Sequence, residues 1–444
     1  MSDMGNLFSC DDELPPKLDG TKEGTFVFFT ISERWPKTIA KTVDHFHRKR
    51  RDLIDQYGPE ADADVKAVIA ELSELRYRIA TDKPLEDISD TSYSYEMWNN
   101  LLAKMRVKFG GADELKWFNS EWLFAECYMY RRIVGCTAKT KYLKNFDFFM
   151  EQKVEGFNSH IEQIRDGIKY IFAVADNLSV QQERETLEVL LKMCLWGNRC
   201  DLSLSCGDAT VLDKSPIENA RLLDSFILCN DLGAAIENFF LKLKVNKKGL
   251  KEFHIVLDNA GPELMGDLIF AEYLMQVKLV DRTVLHGKEY PYFVSDVTGG
   301  DFEWTMTELK KRGDVFNTMY EKLSNRLKKN QLAFEDHRFW TYPHPYCQMK
   351  SVAPELYRRL CEASLIMFKG DLNYRKLVGD RDWPYGTPFK RALCGFLPAP
   401  ILALRTLKSE TVAGLPDDVA ERMANEPDRK WMVTGEYGIA ELAY

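Results

Sequence analysis

The chain has 444 residues, of which 45% are hydrophobic and 29% charged, with a net charge of −8. That balance belongs to a globular protein with a large core and excludes a largely disordered chain. An acidic sequence without a basic stripe also lacks the footprint of a nucleic-acid binder, and no apolar run reaches the ~20 residues that cross a bilayer.

Residues 1–24 read as a flexible tail. They are polar and acidic, without the basic start and apolar stretch of a signal peptide. A short apolar run, Thr25–Thr30, is followed by Arg34–Trp35–Pro36 and then by a long helical stretch. The basic run His47–Arg51 is flanked by apolar residues at helical spacing, so it reads as a solvated helix face. Val65, Val68, Ile69, Leu72, Leu75 and Ile79 recur at the 3.6-residue period of an amphipathic helix. Ser120 is placed to cap a helix carrying Trp122, Leu123, Tyr130 and Ile133. The pattern stays helical through Gln181–Trp196 and Pro216–Leu232, which predicts a helical lobe over residues 25–240.

The character changes near Val245, and residues 241–444 read as an α/β unit. Phe253–Leu257 is a compact apolar run ending in Asp258–Asn259. Gly261–Pro262 then opens a helix with Leu264, Leu268, Ala271 and Met275 on one side. Val280–Leu285, Pro291–Ser295, Leu365–Lys369 and Ile401–Leu404 are further short apolar runs. Short buried strands alternating with helices predict a three-layer α/β/α core around a mostly parallel sheet.

In such sheets ligands bind beyond the carboxyl ends of the strands. Four of these runs end in polar chemistry: Asp258–Asn259, Asp296, Asp371 and Arg405. Two carboxylates and a carboxamide are hard oxygen donors of the kind that suit Mg²⁺ or Mn²⁺. Pro262 fits the first position of a helix, whose free N–H groups would face back toward Asp258 and attract an anion. Asp at a strand end also serves as a turn former or helix cap. His254 lies inside an apolar run and reads as a core histidine, and His337–Tyr346 as an aromatic packing loop. The motifs of serine hydrolases, P-loop NTPases and Rossmann enzymes do not occur. The ten cysteines form no C-x-x-C pair and read as free thiols of a reducing compartment, cytoplasmic or also nuclear.

Leu257–Asp258–Asn259–Ala260–Gly261–Pro262–Glu263–Leu264 resembles the damage-control phosphatases, once filed as domain of unknown function 89. Trp196–Gly197–Asn198–Arg199–Cys200–Asp201 is similar to that family's Gly-Asn-x-x-Asp segment, and Lys369–Arg375 to its substrate segment. Arg405–Thr406–Leu407–Lys408 resembles the Arg-Thr-x-Lys signature of one branch. Glu121–Trp122 through Arg131–Arg132 is similar to that branch's helical lobe.

The resemblance implies a metal-dependent phosphatase acting on small sugar phosphates of the fructose 1-phosphate and fructose 6-phosphate type. It implies Mn²⁺ or Ni²⁺, with Mg²⁺ or Co²⁺ as further candidates, held by Asp258, Asn259 and Asp296. It places substrate contacts at Asp371, Leu372, Asn373, Tyr374 and Arg375 and at Lys408. Arg375 would act as a fork for oxyanions and Lys408 as a point charge. Asp371 and Asn373 would hold sugar hydroxyls, and Asn198 and Asp201 would orient the phosphate or a water. Glu263 and Asp267 read equally as partners of metal-bound waters or as acids favoured near a helix N-terminus. The sequence leaves open which group activates water and whether Asp258 itself attacks. The same branch carries a competing activity, S-adenosylmethionine-dependent methyl transfer to protein glutamate carboxylates, and metal dependence separates the two. A non-catalytic binding protein is the third reading. The implied partner is a small phosphorylated metabolite, with neither nucleic acid nor membrane.

Overall fold

The computed structural model describes residues 14–174, 178–197, 223–245 and 249–444. Its N-terminal part is helical. After a single turn at Phe26–Phe29 and a π-helical turn at Thr30–Arg34 come α1 (Trp35–Tyr57), α2 (Ala61–Ala80), α3 (Tyr95–Phe109) and α4 (Trp122–Ala138). The expected apolar stripe packs α2, with Val65, Val68, Leu72, Leu75 and Ile79 buried. The basic run lies on α1 and is tied by Arg48–Asp44, Lys49–Glu151 and Arg50–Asp62 ion pairs. Ser120 does not cap α4. Its hydroxyl donates to the Trp117 carbonyl, and Glu121 occupies the cap position without a side-chain bond.

Next come α5 (Met150–Ser159), α6 (Ile161–Ala173) and α7 (Val180–Trp196). Although the lobe was expected to run to residue 240, α6 and α7 share one apolar core with the sheet. An amphipathic period reveals that a helix has a buried face, not which core receives it.

The sheet has seven strands: β1 (Ile227–Asn230), β2 (Glu252–Val256), β3 (Arg282–Gly287), β4 (Leu332–Asp336), β5 (Leu365–Lys369), β6 (Ile401–Thr406) and β7 (Gly438–Ala443). Their order is β1-β7-β6-β5-β2-β3-β4, and β2 to β6 are parallel. β7 pairs antiparallel to β6, and β1 pairs parallel to β7. Side chains alternate between two apolar layers. Phe253, Ile255, Leu365 and Met367 face one, while Val256, Ile366 and Phe368 face the other.

Helix α8 (Pro262–Gln276) follows β2 and is buried on every side between the sheet, α6 and α7. It is accordingly apolar on most of its surface, apart from the buried acids Glu263, Asp267 and Glu272. Helices α9 (Gly299–Arg312) and α10 (Asp314–Lys328) precede β4, and α11 (Gly370–Val378) follows β5 directly. From β2 the chain moves outward to β3 and β4, then returns to β2's other side as β5. The connections therefore diverge between β2 and β5, which is the topological switch point where open α/β sheets bind ligands.

His254 is a core histidine, as expected. Its Nε2 lies 3.0 Å from Glu252 Oε2 and its Nδ1 lies 3.0 Å from His286 Nε2. Phe339, Trp340 and Tyr346 of the aromatic loop are buried beneath the sheet. No helix among the described residues is long and apolar enough to cross a membrane.

Candidate active site

Beyond β2 the chain runs on for a few extended residues. Val297 N–H donates to the Asp258 carbonyl at 2.9 Å, and Ala260 N–H donates to the Ser295 carbonyl at 2.8 Å. These bonds form a short antiparallel bridge between Asn259 and Asp296. Asp258, Asn259 and Asp296, far apart in sequence, thus stand on paired backbone at the end of β2. The expected strand over Pro291–Ser295 is absent. Phe293 and Val294 have φ of 45° and 69°, left-handed values that end extended structure. A β-branched residue rarely tolerates that conformation, and no sequence pattern signals it. It turns the chain so that Asp296 comes back onto Asn259.

The carboxylates crowd one another. Burial pushes the Asp258 carboxyl well above its usual range, and Glu263 and Asp296 add to the rise. Lys408 and Lys288 act the other way. Burial also raises Asp296, to about 6, although the Lys288 ammonium lies 3.4 Å from Asp296 Oδ2. That Oδ2 is buried and accepts no hydrogen bond. Asn259 Nδ2 donates to Asp258 Oδ2 at 2.9 Å and to Glu263 Oε2 at 2.8 Å, while its Oδ1 accepts from the Ser295 hydroxyl.

Glu263 and Asp267 were expected either near metal waters or as simple N-terminal acids. The structure gives both to one buried cation: Lys369 Nζ donates to Glu263 Oε1 and Asp267 Oδ1, each at 2.9 Å. Pro262 is the first residue of α8, as expected, and Gly261 caps the helix without a side-chain bond. The first N–H groups of α8 therefore retain donor capacity beside the acids. Gly370 completes the floor. It has φ +82°, and a Cβ there would fall 1.8 Å from Asp258 Oδ2.

The residues expected to contact substrate divide into two groups. Asp371, Leu372, Arg375 and Lys408 line a cavity of about 420 Å³ together with Asp258, Asn259 and Asp296. That size suits a small-molecule site. Asn373 and Tyr374 lie behind it. Asn373 Nδ2 donates to the Leu257 carbonyl at 3.1 Å and the Lys369 carbonyl at 2.7 Å, so it clamps the ends of β2 and β5 together. The Tyr374 hydroxyl donates to the Ala413 carbonyl at 3.2 Å. These two side chains are absent from the cavity lining and are bonded to backbone carbonyls behind it. Asn198 and Asp201 lie outside the described residues.

Arg375 lines the cavity but is already engaged. It grips both oxygens of Asp380, donates to Glu126 Oε2 on α4, and lies 3.6 Å from the centre of the Trp122 ring. It works as a strut between core and lobe. Burial raises the Asp371 carboxyl, but Arg405 and Arg375 hold it below its usual range. Arg405 donates to Asp371 Oδ1 at 2.7 Å and to the Ser409 and Thr411 carbonyls. Thr406 and Leu407 are buried. Of the Arg405–Lys408 motif, only Lys408 faces the cavity, and Arg405 fixes the loop that carries it.

The opposite wall comes from the lobe. Arg34, Thr38, Glu126, Tyr130, Lys153 and His160 line it, and none of them belongs to a chemical motif in the sequence. Their only common signal is placement on helices that the fold brings over the sheet end.

The chain matches the model of the damage-control phosphatase ARMT1-like domain over residues 30–423. It belongs to this family. It is similar to proteins named damage-control phosphatase ARMT1 from Mus musculus, Xenopus laevis and Homo sapiens. The mouse protein is 39% identical over 438 residues, covering 97% of this chain and 99% of that protein. The Xenopus protein is 36% identical over 437 residues, with the same shares covered. The human protein is 37% identical over 435 residues, covering 96% and 98%. As a member of the damage-control phosphatase family the chain is a phosphatase, and the cavity between lobe and sheet is its candidate active site.

Proposed function

We propose that this damage-control phosphatase is metal-dependent and hydrolyses small sugar phosphates, with fructose 1-phosphate and fructose 6-phosphate as the favoured type. The observation that carries the reading is the convergence of Asp258, Asn259 and Asp296 at the switch point, beside the uncapped start of α8. Those residues fit a divalent cation. Two carboxylates and a carboxamide offer hard oxygens, and Asp296 Oδ2 is buried without a hydrogen bond. Asn259 now turns its nitrogen toward the acids, and a half-turn of the amide would present its oxygen instead.

When bound, the metal supplies positive charge where the phosphoryl oxygens accumulate negative charge. This chain's own residues do the rest. The N–H groups opening α8 receive phosphate oxygens, and Lys408 adds a positive charge. Asp371 has one oxygen fixed by Arg405 and Ser409, which leaves the other for a sugar hydroxyl. The lobe covers the cavity and limits access of bulk water. The carboxylates themselves would repel a phosphate, so Mn²⁺ or Ni²⁺ is expected to be required rather than merely stimulatory. The free cysteines among the described residues support a reducing setting, cytoplasmic or nuclear.

The test is phosphate release from a panel of sugar phosphates by the full chain, before and after chelation. Release that falls to background on chelation and returns with Mn²⁺ or Ni²⁺ is expected. Undiminished release after complete chelation would contradict metal dependence, and no release from any ester with any metal would contradict the substrate class.

A further inference from the structure

His160 ends α5 and opens α6, 6% exposed, in the wall of the cavity that Gly156 and Glu263 also line. Its Nδ1 lies 2.9 Å from the Gly156 carbonyl oxygen and 3.1 Å from Ser159 Oγ. A carbonyl only accepts, so Nδ1 carries a proton, and of the two neutral tautomers the one that fits this bond has its lone pair on Nε2. Among the described residues nothing is hydrogen-bonded to Nε2. The ring is therefore fixed at one nitrogen and open at the other, as a proton acceptor in a reacting site must be.

The helix that carries it sits at the start of α8. The last turn of α5 lies directly on the cap of α8: a Cβ on Gly261 would stand 3.4 Å from Phe157 N and 3.8 Å from the Gly156 carbonyl carbon. The residue that anchors the imidazole thus also packs against the turn that would cradle the phosphate.

We propose that His160 Nε2 is the general base of the phosphatase reaction. Nε2 takes one proton from the attacking water as the water oxygen bonds to phosphorus. The bond from phosphorus to the ester oxygen breaks, and its electron pair stays on the sugar oxygen, which takes a proton from solvent. The imidazolium returns its proton to solvent, so sugar and phosphate leave with atoms and charge balanced.

This role rests on the phosphatase reading, and His160→Asn separates the two. Asparagine can still donate to the Gly156 carbonyl but offers nothing at the Nε2 position. With fructose 1-phosphate and Mn²⁺, the variant is expected to lose about 100-fold or more in kcat, with Tm, KM and inhibition by inorganic phosphate kept. A variant within about threefold of the wild-type kcat, the scale of a lost packing contact rather than a lost base, would overturn the role while the phosphatase reading stands. Absence of release by the wild type itself would sink both. If the variant does not fold, carbethoxylation of wild-type His160, mapped by peptide mass spectrometry, serves instead. Modification that inorganic phosphate blocks and that tracks loss of activity supports the role; modification without loss, or a His160 that stays unmodified, overturns it.

Discussion

Asp258→Asn is expected to reduce phosphate release by about 10³-fold or more while leaving Tm unchanged or higher. The two effects have one origin. The Asp258 carboxylate is buried, and it faces Glu263 and Asp296. Each of those features opposes its charge, so the folded protein carries an electrostatic cost there. Asparagine keeps the shape and removes that cost, but it also removes a charge that a cation and a phosphate require. Buried acids held at an electrostatic cost are a mark of functional sites, where stability is exchanged for activity. Thermal melts and a phosphate-release assay on the same preparations check both halves. A variant that is destabilised by several degrees would show instead that Asp258 serves the fold.

Lys369→Met is expected to be the opposite case, costing about 3–5 kcal/mol of stability. The ammonium lies at the end of β5, 1% exposed, between Glu263 and Asp267. Burial opposes its charge, yet Asp267 and Glu263 raise its pKa well above the ordinary lysine range. Methionine fits the volume but strands two buried carboxylates, one of which, Asp267, burial already pushes up to about 6. Adding Glu263→Gln and Asp267→Asn to the methionine variant is expected to recover most of the lost stability without recovering activity, because Glu263 also holds Asn259. Urea unfolding of the single and triple variants reads this directly. A single variant within ~1 kcal/mol of wild type would mean that the triad contributes little.

The parts of the site written in local sequence were legible. Five apolar residues ending in Asp258–Asn259, followed by Gly261–Pro262, specify a buried strand, a polar strand end and a helix start, because each rests on short-range chemistry. The α2 stripe and the strands at Leu365–Lys369 and Ile401–Leu404 were visible for the same reason. Asp296 reached its place by another route. It was read at the end of a strand, but the left-handed turn at Phe293–Val294 delivers it, and that turn depends on tertiary packing. Gly370 follows the same logic, since its need for no side chain appears only when Asp258 is seen above it.

Arg375, Asn373 and Tyr374 show a second limit. A sequence motif says that residues occur together, not which way their side chains point, and a helix starting at Gly370 sends successive residues around its axis. Asp371 and Leu372 face the cavity, while Asn373 turns to the strand ends. The lobe's contribution was hidden for the plainest reason: Arg34, Glu126 and His160 lie on separate helices, and only the assembled fold places them over β2.

Equilibrium dialysis of the full chain against Mn²⁺, wild type beside Asp296→Ala, tests most directly whether the three oxygen donors form one cation site. One tightly held ion per wild-type chain, lost in the variant with its helical signal intact, is the predicted result. Equal binding by both proteins, or hydrolysis by a wild type that holds no ion, would contradict it.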